Sequence, residues 1–324
     1  MENRPKRTRS RKRKYPSEAL AEQYKRDRKR RVFWRYTLTL LLRNPLFVIG
    51  VIVILVMIFA ALSHPLLIDT IWDPHIYDPR TGFDPDMSHH PSKPSRAHPL
   101  GTDALGRDVV SQVFYAARTS LGVGLLAGFT ALLVSMTIGL LAAYYGGWID
   151  NILMVVAETF LLMPPVLITL IVGLIIPMTW WSMGLIFGVL SGLGSLAITC
   201  KHQASTIRIK PYVAASRLTG AGSLHIILKH MVPGMLSVMM VVIMFVASQA
   251  MMIEALISFY QGSEMRLSWG TMIYFIQSTF FLSPYSEQWL AILAPALAIT
   301  FLSVAFYLLG RAMDQVLNQQ LQER

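Results

Sequence analysis

The chain carries one cysteine, Cys200, in 324 residues. That excludes an intrachain disulfide and a zinc site built on paired cysteines, and it leaves Cys200 to be read as a buried thiol in a helix. Charge is scarce as well: 15% of residues are charged and 54% are hydrophobic. Acidic side chains nearly vanish from the long apolar runs, where only Glu158 and Glu254 occur. No G-x-x-x-x-G-K-[ST] loop is present to cradle ATP phosphates, and neither H-E-x-x-H nor G-x-S-x-G occurs. The short alternating strands of a membrane β-barrel are missing too.

What is present is apolar length. Runs of about 20 residues suffice to cross a bilayer as helices, and a helix in lipid satisfies its own backbone hydrogen bonds. The expected fold is an all-α polytopic membrane protein with six spans. They are drawn at about Pro45–Leu62, Ser120–Tyr144, Ile152–Ile176, Trp181–Cys200, Met235–Phe259 and Trp289–Leu309. In domain terms the chain divides into a basic tail 1–43, a first transmembrane helix 44–63 and an extracytoplasmic loop 64–119. A five-helix core, 120–310, follows and holds a cytoplasmic loop 201–234; a short tail, 311–324, closes the chain. The first apolar run begins near Pro45 and is long enough to anchor, so a cleavable signal peptide is not expected.

The net charge of +11 is uneven: residues 1–43 hold 16 Lys/Arg against 4 Asp/Glu. A run such as "RPKRTRSRKRKY" suits a nucleic-acid arm. Beside a membrane span it is read instead as a cytoplasmic tail that meets anionic lipid, and no nucleic-acid partner is expected. The connection Ser63 to Thr119 carries 7 Asp/Glu and 5 Lys/Arg and fits the outside. Lys201 to Pro233 carries Lys201, Arg208, Lys210, Arg217 and Lys229 with no acid, and fits the inside. Both termini are therefore expected in the cytoplasm of a cell-membrane protein. His75, His89, His90 and His98 sit in the Pro-rich outer loop, where loop histidines rather than a metal site are expected. The methionines of Met231–Met252 read as packing filler.

The segment "YVAASRLTGAGSLHIILKHMVP", Tyr212 to Pro233, lies between two membrane-length runs. Pro211 is a favourable first helical residue, Gly220 and Gly222 permit a tight turn, and Ser223 can open a second short helix. Small residues at Ala214, Ala215 and Ser216 allow another surface to approach closely. The expectation is a helix–turn–helix bracket that docks onto a soluble partner.

At this segment the chain resembles the permease subunits of ABC transporters, whose coupling motif runs E-A-A, then a glycine, then I-x-L-P. Here Ala214-Ala215-Ser216, Gly220 and Pro233 fall at that spacing. "HPLGTDALGRDVVSQVFYAARTSLGVGL" (His98 to Leu125), "AAYYGGWIDNILM", "ETFLLMPPVL", "IEALISF" and "SWGTMI" are similar to the dipeptide, oligopeptide and nickel class, over nearly everything from Arg43 to Asp314. Three departures stand out. Ala214 replaces the motif glutamate, "YQGSEMRL" departs from the usual Gly- and Pro-rich stretch, and the Arg that many relatives carry near "NILM" is missing.

The resemblance implies a non-enzymatic permease subunit that works by alternating access. It implies a second permease subunit, two ATP-binding subunits that use ATP and Mg, and an extracytoplasmic substrate-binding protein; the chain itself would bind no cofactor or metal. ATPase coupling would fall to Tyr212, Ala214, Ala215, Ser216, Arg217, Gly220 and Pro233. Gly101, Asp103, Gly106, Arg107 and Asp108 form an outer signature, read as capping and pairing at the start of the second span more than as substrate contact. Glu158 and Glu254 are the intramembrane candidates, since an acid buried in a span is functional by default while one near an end can reach water. Gly122, Gly124, Gly128 and Gly139 suit close helix packing. Two other readings are weighed. A secondary transporter would need buried charges or broken helices in repeated halves, and a membrane scaffold or receptor would leave the glycine–proline spacing without a purpose.

Overall fold

The computed structural model describes residues 38–87, 90–261, 267–280 and 289–322. The basic tail through residue 37, His89, the departure at 262–266 and the last two residues lie outside the described residues. Regular structure among the described residues is helical throughout, apart from one isolated bridge, Thr102 to Asp108.

Helix α1, Pro45–Thr70, starts where the Asn44 side chain accepts from the Leu46 amide at 2.9 Å with Pro45 in the first position. A single turn, α2 (Pro74–Tyr77), is capped by Asp73. Helix α3, Val109–Tyr145, runs 37 residues without a break, a rod of roughly 55 Å. The bent pair α4 (Gly147–Leu162) and α5 (Pro165–Ile175) follows, then a second pair, α6 (Trp180–Leu193) and α7 (Ser195–Arg208). A short bracket comes next: α8 (Pro211–Leu218), α9 (Ser223–Ile226), a π-helical stretch at Ile227–Met231 and α10 (Val232–Gly234). The chain ends in α11 (Leu236–Gln261), α12 (Trp269–Phe280) and α13 (Trp289–Gln322).

Helices α1, α3, α11 and α13 are each long and apolar enough to cross a membrane. The α4–α5 pair, bent by 72°, and the α6–α7 pair, bent by 53°, bring the number to six if each counts as one span. Ile152–Ile176 was expected as one span, and the structure bends it sharply, with a local cause. Pro165 cannot continue a helix from upstream, and Met163 and Pro164, each followed by proline, are held extended at ψ 112° and 115°. The α6–α7 break falls at Gly194, with ψ −122°.

Boundaries move as well, and one helix is added. Helix α3 begins at Val109, eleven residues before the expected Ser120, because Asp108 caps it and buried polar partners receive its Ser111 and Gln112. Helix α7 continues past Cys200 to Arg208, which spends its Nη1 on the Ala143 carbonyl at 2.7 Å. Helix α12 was not expected at all. Its start is a reciprocal cap in which the Ser268 amide donates to Thr271 Oγ1 at 2.9 Å and the Thr271 amide donates to Ser268 Oγ at 3.3 Å.

The rod α3 is the hub, packed against α1, α6, α7 and α11. Small residues let it do this. A side chain at Gly188 or Gly192 of α6 would come within 2.7 Å of the Ala127 carbonyl or 2.8 Å of the Ala131 carbonyl. Cys200 is buried against α3, 3.6 Å from Ser135 Oγ. One apolar core gathers around Phe187, Met231 and Met235, and a second around Trp269, Leu302 and Phe306.

Candidate functional site

The bracket turns four apolar residues inward, Val213, Ile226, Ile227 and Met231, all buried in the first core. Val213 is fully buried in the first core, and the rest of α8 turns outward. Tyr212, Ala214, Ala215, Arg217 and Leu218 are exposed and Ser216 is half-buried, with Leu218 at 90% the barest of them. Leu224 and Leu228 extend the apolar face at 69% and 58% exposure. Gly220 holds φ +81° with open space around it, so conformation and not crowding demands glycine there. Pro233 lies inside α10 and explains the π-helical turn just before it. It has no N–H to give the Lys229 carbonyl, and the ladder widens by a residue to pass it.

Arg217, expected as an outward docking contact, is also used within the chain. Its guanidinium sits over the Tyr144 ring at 4.8 Å from the centroid, tying α8 to the last turn of α3. Lys201 pairs with Asp150 at 2.6 Å across α7 and α4. The bracket is therefore braced on the end of the hub helix.

At the other end of α3 lies a buried polar knot. Asp103 Oδ1 accepts from the amides of Leu105 at 3.0 Å and Arg107 at 2.9 Å. Its Oδ2 accepts from Arg107 Nε at 2.7 Å, Arg107 Nη2 at 2.6 Å and Gln112 Nε2 at 2.8 Å. Asp108 caps α3 through the Ser111 amide at 2.6 Å and faces His98 Nδ1 at 2.9 Å. His98 reaches Asp84 at 3.1 Å on its other nitrogen. Gly101 and Gly106, at φ +80° and +83°, make the turns that fold this loop. Burial works against the charge of Asp84, but hydrogen bonds from His98 and the Asp86 amide outweigh it and hold the carboxyl below its ordinary range. Burial pushes Asp108 up against the Ser111 amide and His98, which pull it down.

The structure thus gathers Gly101, Asp103, Gly106, Arg107 and Asp108 into one knot and keeps it at the opposite end of α3 from Tyr212 to Pro233. The two intramembrane acids part company. Glu254 is 2% exposed and accepts from Ser120 at 3.2 Å and Ser258 at 2.7 Å. Glu158 lies on the exposed face of α4 and is not a buried acid. His90 bonds Thr102 at 3.1 Å, and among the described residues no three metal-ligating side chains come together. A cleft of about 420 Å³ near the knot, lined by Arg80, Tyr115, Arg118, Thr119, Gly122, Trp180 and Leu267, was not foreseen. Its two arginines stand 38 positions apart and its tryptophan 62 further on, so only the fold brings them together.

Residues 135–322 match the family described as the binding-protein-dependent transport system inner membrane component. Residues 33–91 match the N-terminal TM domain of oligopeptide transport permease C. A protein of Brucella abortus biovar 1, named as a peptide transport system permease, is 30% identical over 285 residues, 87% of this chain and 90% of its own. A Brucella suis biovar 1 protein named as a peptide permease is 30% identical over 81% of this chain and 85% of its own. The glutathione transport system permease protein GsiD of Pectobacterium atrosepticum is 28% identical over 76% of this chain and 79% of its own.

Proposed function

Because the chain belongs to the family of binding-protein-dependent transport system inner membrane components, in its peptide and oligopeptide class, we propose that it forms half of the translocation path of an ATP-driven importer for peptides or related small solutes. It is a multi-pass membrane permease and not an enzyme. A second permease subunit completes the path, two cytoplasmic ATP-binding subunits supply the energy with ATP and Mg, and an extracytoplasmic binding protein delivers solute. In this reading both termini and the bracket face the cytoplasm, and the knot faces outward.

The observation that carries the reading is the bracket. The bracket, anchored by the buried Val213, Ile226, Ile227 and Met231, presents Tyr212, Leu218, Leu224 and Leu228 to the surroundings on a segment whose charges are all basic. An apolar helical face rimmed by polar groups fits a groove on another protein. Tyr212, Ala214, Ala215, Ser216, Arg217, Gly220 and Pro233 form or shape that face. Movement of the ATPase pair is then delivered through α8 to Tyr144 and the end of α3. Ala214, in place of an acid, leaves shape and basic charge to make the contact.

Co-purification of the tagged chain from native membranes tests this. Recovery of an ATPase with a phosphate-binding loop and a second six-span subunit is expected. A chain that purifies alone in gentle detergent would overturn the proposal and favour a scaffold.

A further inference from the structure

The cleft near the knot is built from one face of α3. Tyr115, Arg118, Thr119 and Gly122 recur at helical spacing and share its wall. The loop residue Arg80 closes one side, Trp180 at the start of α6 another, and Leu267 before α12 a third. Gly122 leaves room for the indole, since a side chain there would lie 3.2 Å from the Trp180 ring. Thr119 Oγ1 is 3.3 Å from the Leu267 carbonyl, which fixes that wall.

Two cations converge here on one ring. The Arg80 and Arg118 guanidiniums lie 5.3 and 5.8 Å from the Tyr115 centroid. Arg80 Nη2 donates to the Tyr115 hydroxyl at 2.9 Å, and Arg118 Nε donates to the Ala61 carbonyl at 2.7 Å. These bonds orient both groups while leaving most of their N–H donors unspent. None of the described lining residues is acidic. The carboxylate beside Arg80 in the chain, Asp78, does not line the cleft; its Oδ1 accepts from the Arg80 and Thr81 amides. Burial works against its charge, but these bonds and the Arg80 charge hold its carboxyl below the ordinary range. Two oriented guanidiniums, with no acidic side chain among the described lining residues, form a site for a planar oxyanion, which an arginine fork matches bidentately. The aromatic walls suit the apolar remainder of such a ligand.

We propose that this cleft binds the carboxylate of a small organic solute, held by Arg80 and Arg118, with the body of the solute against Tyr115 and Trp180. Only the statement that this solute is transported rests on the importer reading. The carboxylate chemistry stands on the cleft itself.

The full chain, in phosphatidylcholine nanodiscs with the subunits that co-purify, is titrated with tri-alanine, tri-alanine amide and succinate. Binding is read as the tryptophan fluorescence change that Trp180→Phe abolishes. Tri-alanine is expected to bind at least tenfold tighter than its amide, and Arg80→Gln and Arg118→Gln are each expected to weaken it at least tenfold. Arg80 is exposed and keeps one side-chain hydrogen bond, so Arg80→Gln carries the test if Arg118→Gln misfolds. Succinate binding that needs the arginines, without tri-alanine binding, would uphold the carboxylate site and count against the peptide reading. Equal affinity for acid and amide, unchanged affinity in Arg80→Gln, or no Trp180-dependent signal with any probe would overturn the site and leave the importer reading to co-purification.

Discussion

The knot around Asp103 and the bracket around Gly220 sit at opposite ends of the same helix, and their polar and apolar groups are arranged in opposite ways. In the knot, Asp103, Arg107, Asp108 and His98 are all buried, and each is bonded to another part of the same loop or to the first turn of α3. In the bracket, the buried residues are all apolar, Val213, Ile226, Ile227 and Met231, while leucines stand in the open. A buried polar network fixes a geometry because every unmade bond is costly. An exposed apolar helix, by contrast, leaves its interactions to a second molecule. The knot is what the chain keeps for itself, and in the importer reading the bracket is what it offers.

Substitutions should separate the two regions by kind as well as by size. Asp103→Ala strands the buried Arg107 guanidinium, and loss of one partner of a buried pair costs about 3–5 kcal/mol. A large fall in thermal stability in detergent is expected, with transport lost only because the protein is lost. Unchanged stability would show that the knot does not hold the fold. Gly220→Arg forces an L side chain to φ +81°, at about 1–2 kcal/mol, and adds bulk at the proposed docking face. Uptake should drop at least tenfold with normal amounts of protein in the membrane, and wild-type uptake in that variant would remove the bracket from the coupling role.

Smaller effects sharpen the contrast. Arg217→Ala removes the stack on Tyr144, worth about 0.5–1 kcal/mol at an exposed site. A two- to fivefold loss of uptake is expected, with no further loss when Tyr144→Leu is added; additive losses would mean that Arg217 acts only outward. The smallest effect is with pH. The carboxyl of Asp84 is depressed, so its contribution is full above its unfolded value of about 4 and fades as pH falls through the lower folded value. The gap in melting temperature between wild type and Asp84→Asn should narrow between pH 5 and pH 3, while the bracket, with no acid, adds nothing to that change. A constant gap would mean that His98 does not stabilise the Asp84 charge.

What was legible beforehand was whatever depends on a local run. Apolar length marked the spans, and Pro211, Gly220 and Ser223 marked the bracket's helix, turn and second helix. The family resemblance of the signature loop and of the bracket was legible for the same reason. What escaped depends on which faces meet. Helix α12 carries too little apolar length to announce itself, and Trp269 is buried in the second core with its Nε1–H donating to the Val113 carbonyl at 3.1 Å, 156 residues away. Glu158 and Glu254 look alike in a hydropathy reading, yet one helix turns its acid toward Ser120 and the other turns it away. The paired prolines at 164 and 165 were visible, but the size of the bend they make follows from the packing of α4 and α5 against different neighbours.

The unbroken run of α3 has a mechanical consequence. Its neighbours α4–α5 and α6–α7 are jointed, but α3 is a single unbroken beam met closely near its middle by α6 at Ala127 and Ala131 and by α11 at Gly124 and Gly128. A tilt of about 3° about that fulcrum carries each tip of a roughly 55 Å beam by ~1.5 Å, in opposite directions. In the importer reading, a push applied beside Tyr144 would therefore reach Tyr115 and Arg118 with its sign reversed. It needs no relay of side chains, in the manner of a see-saw.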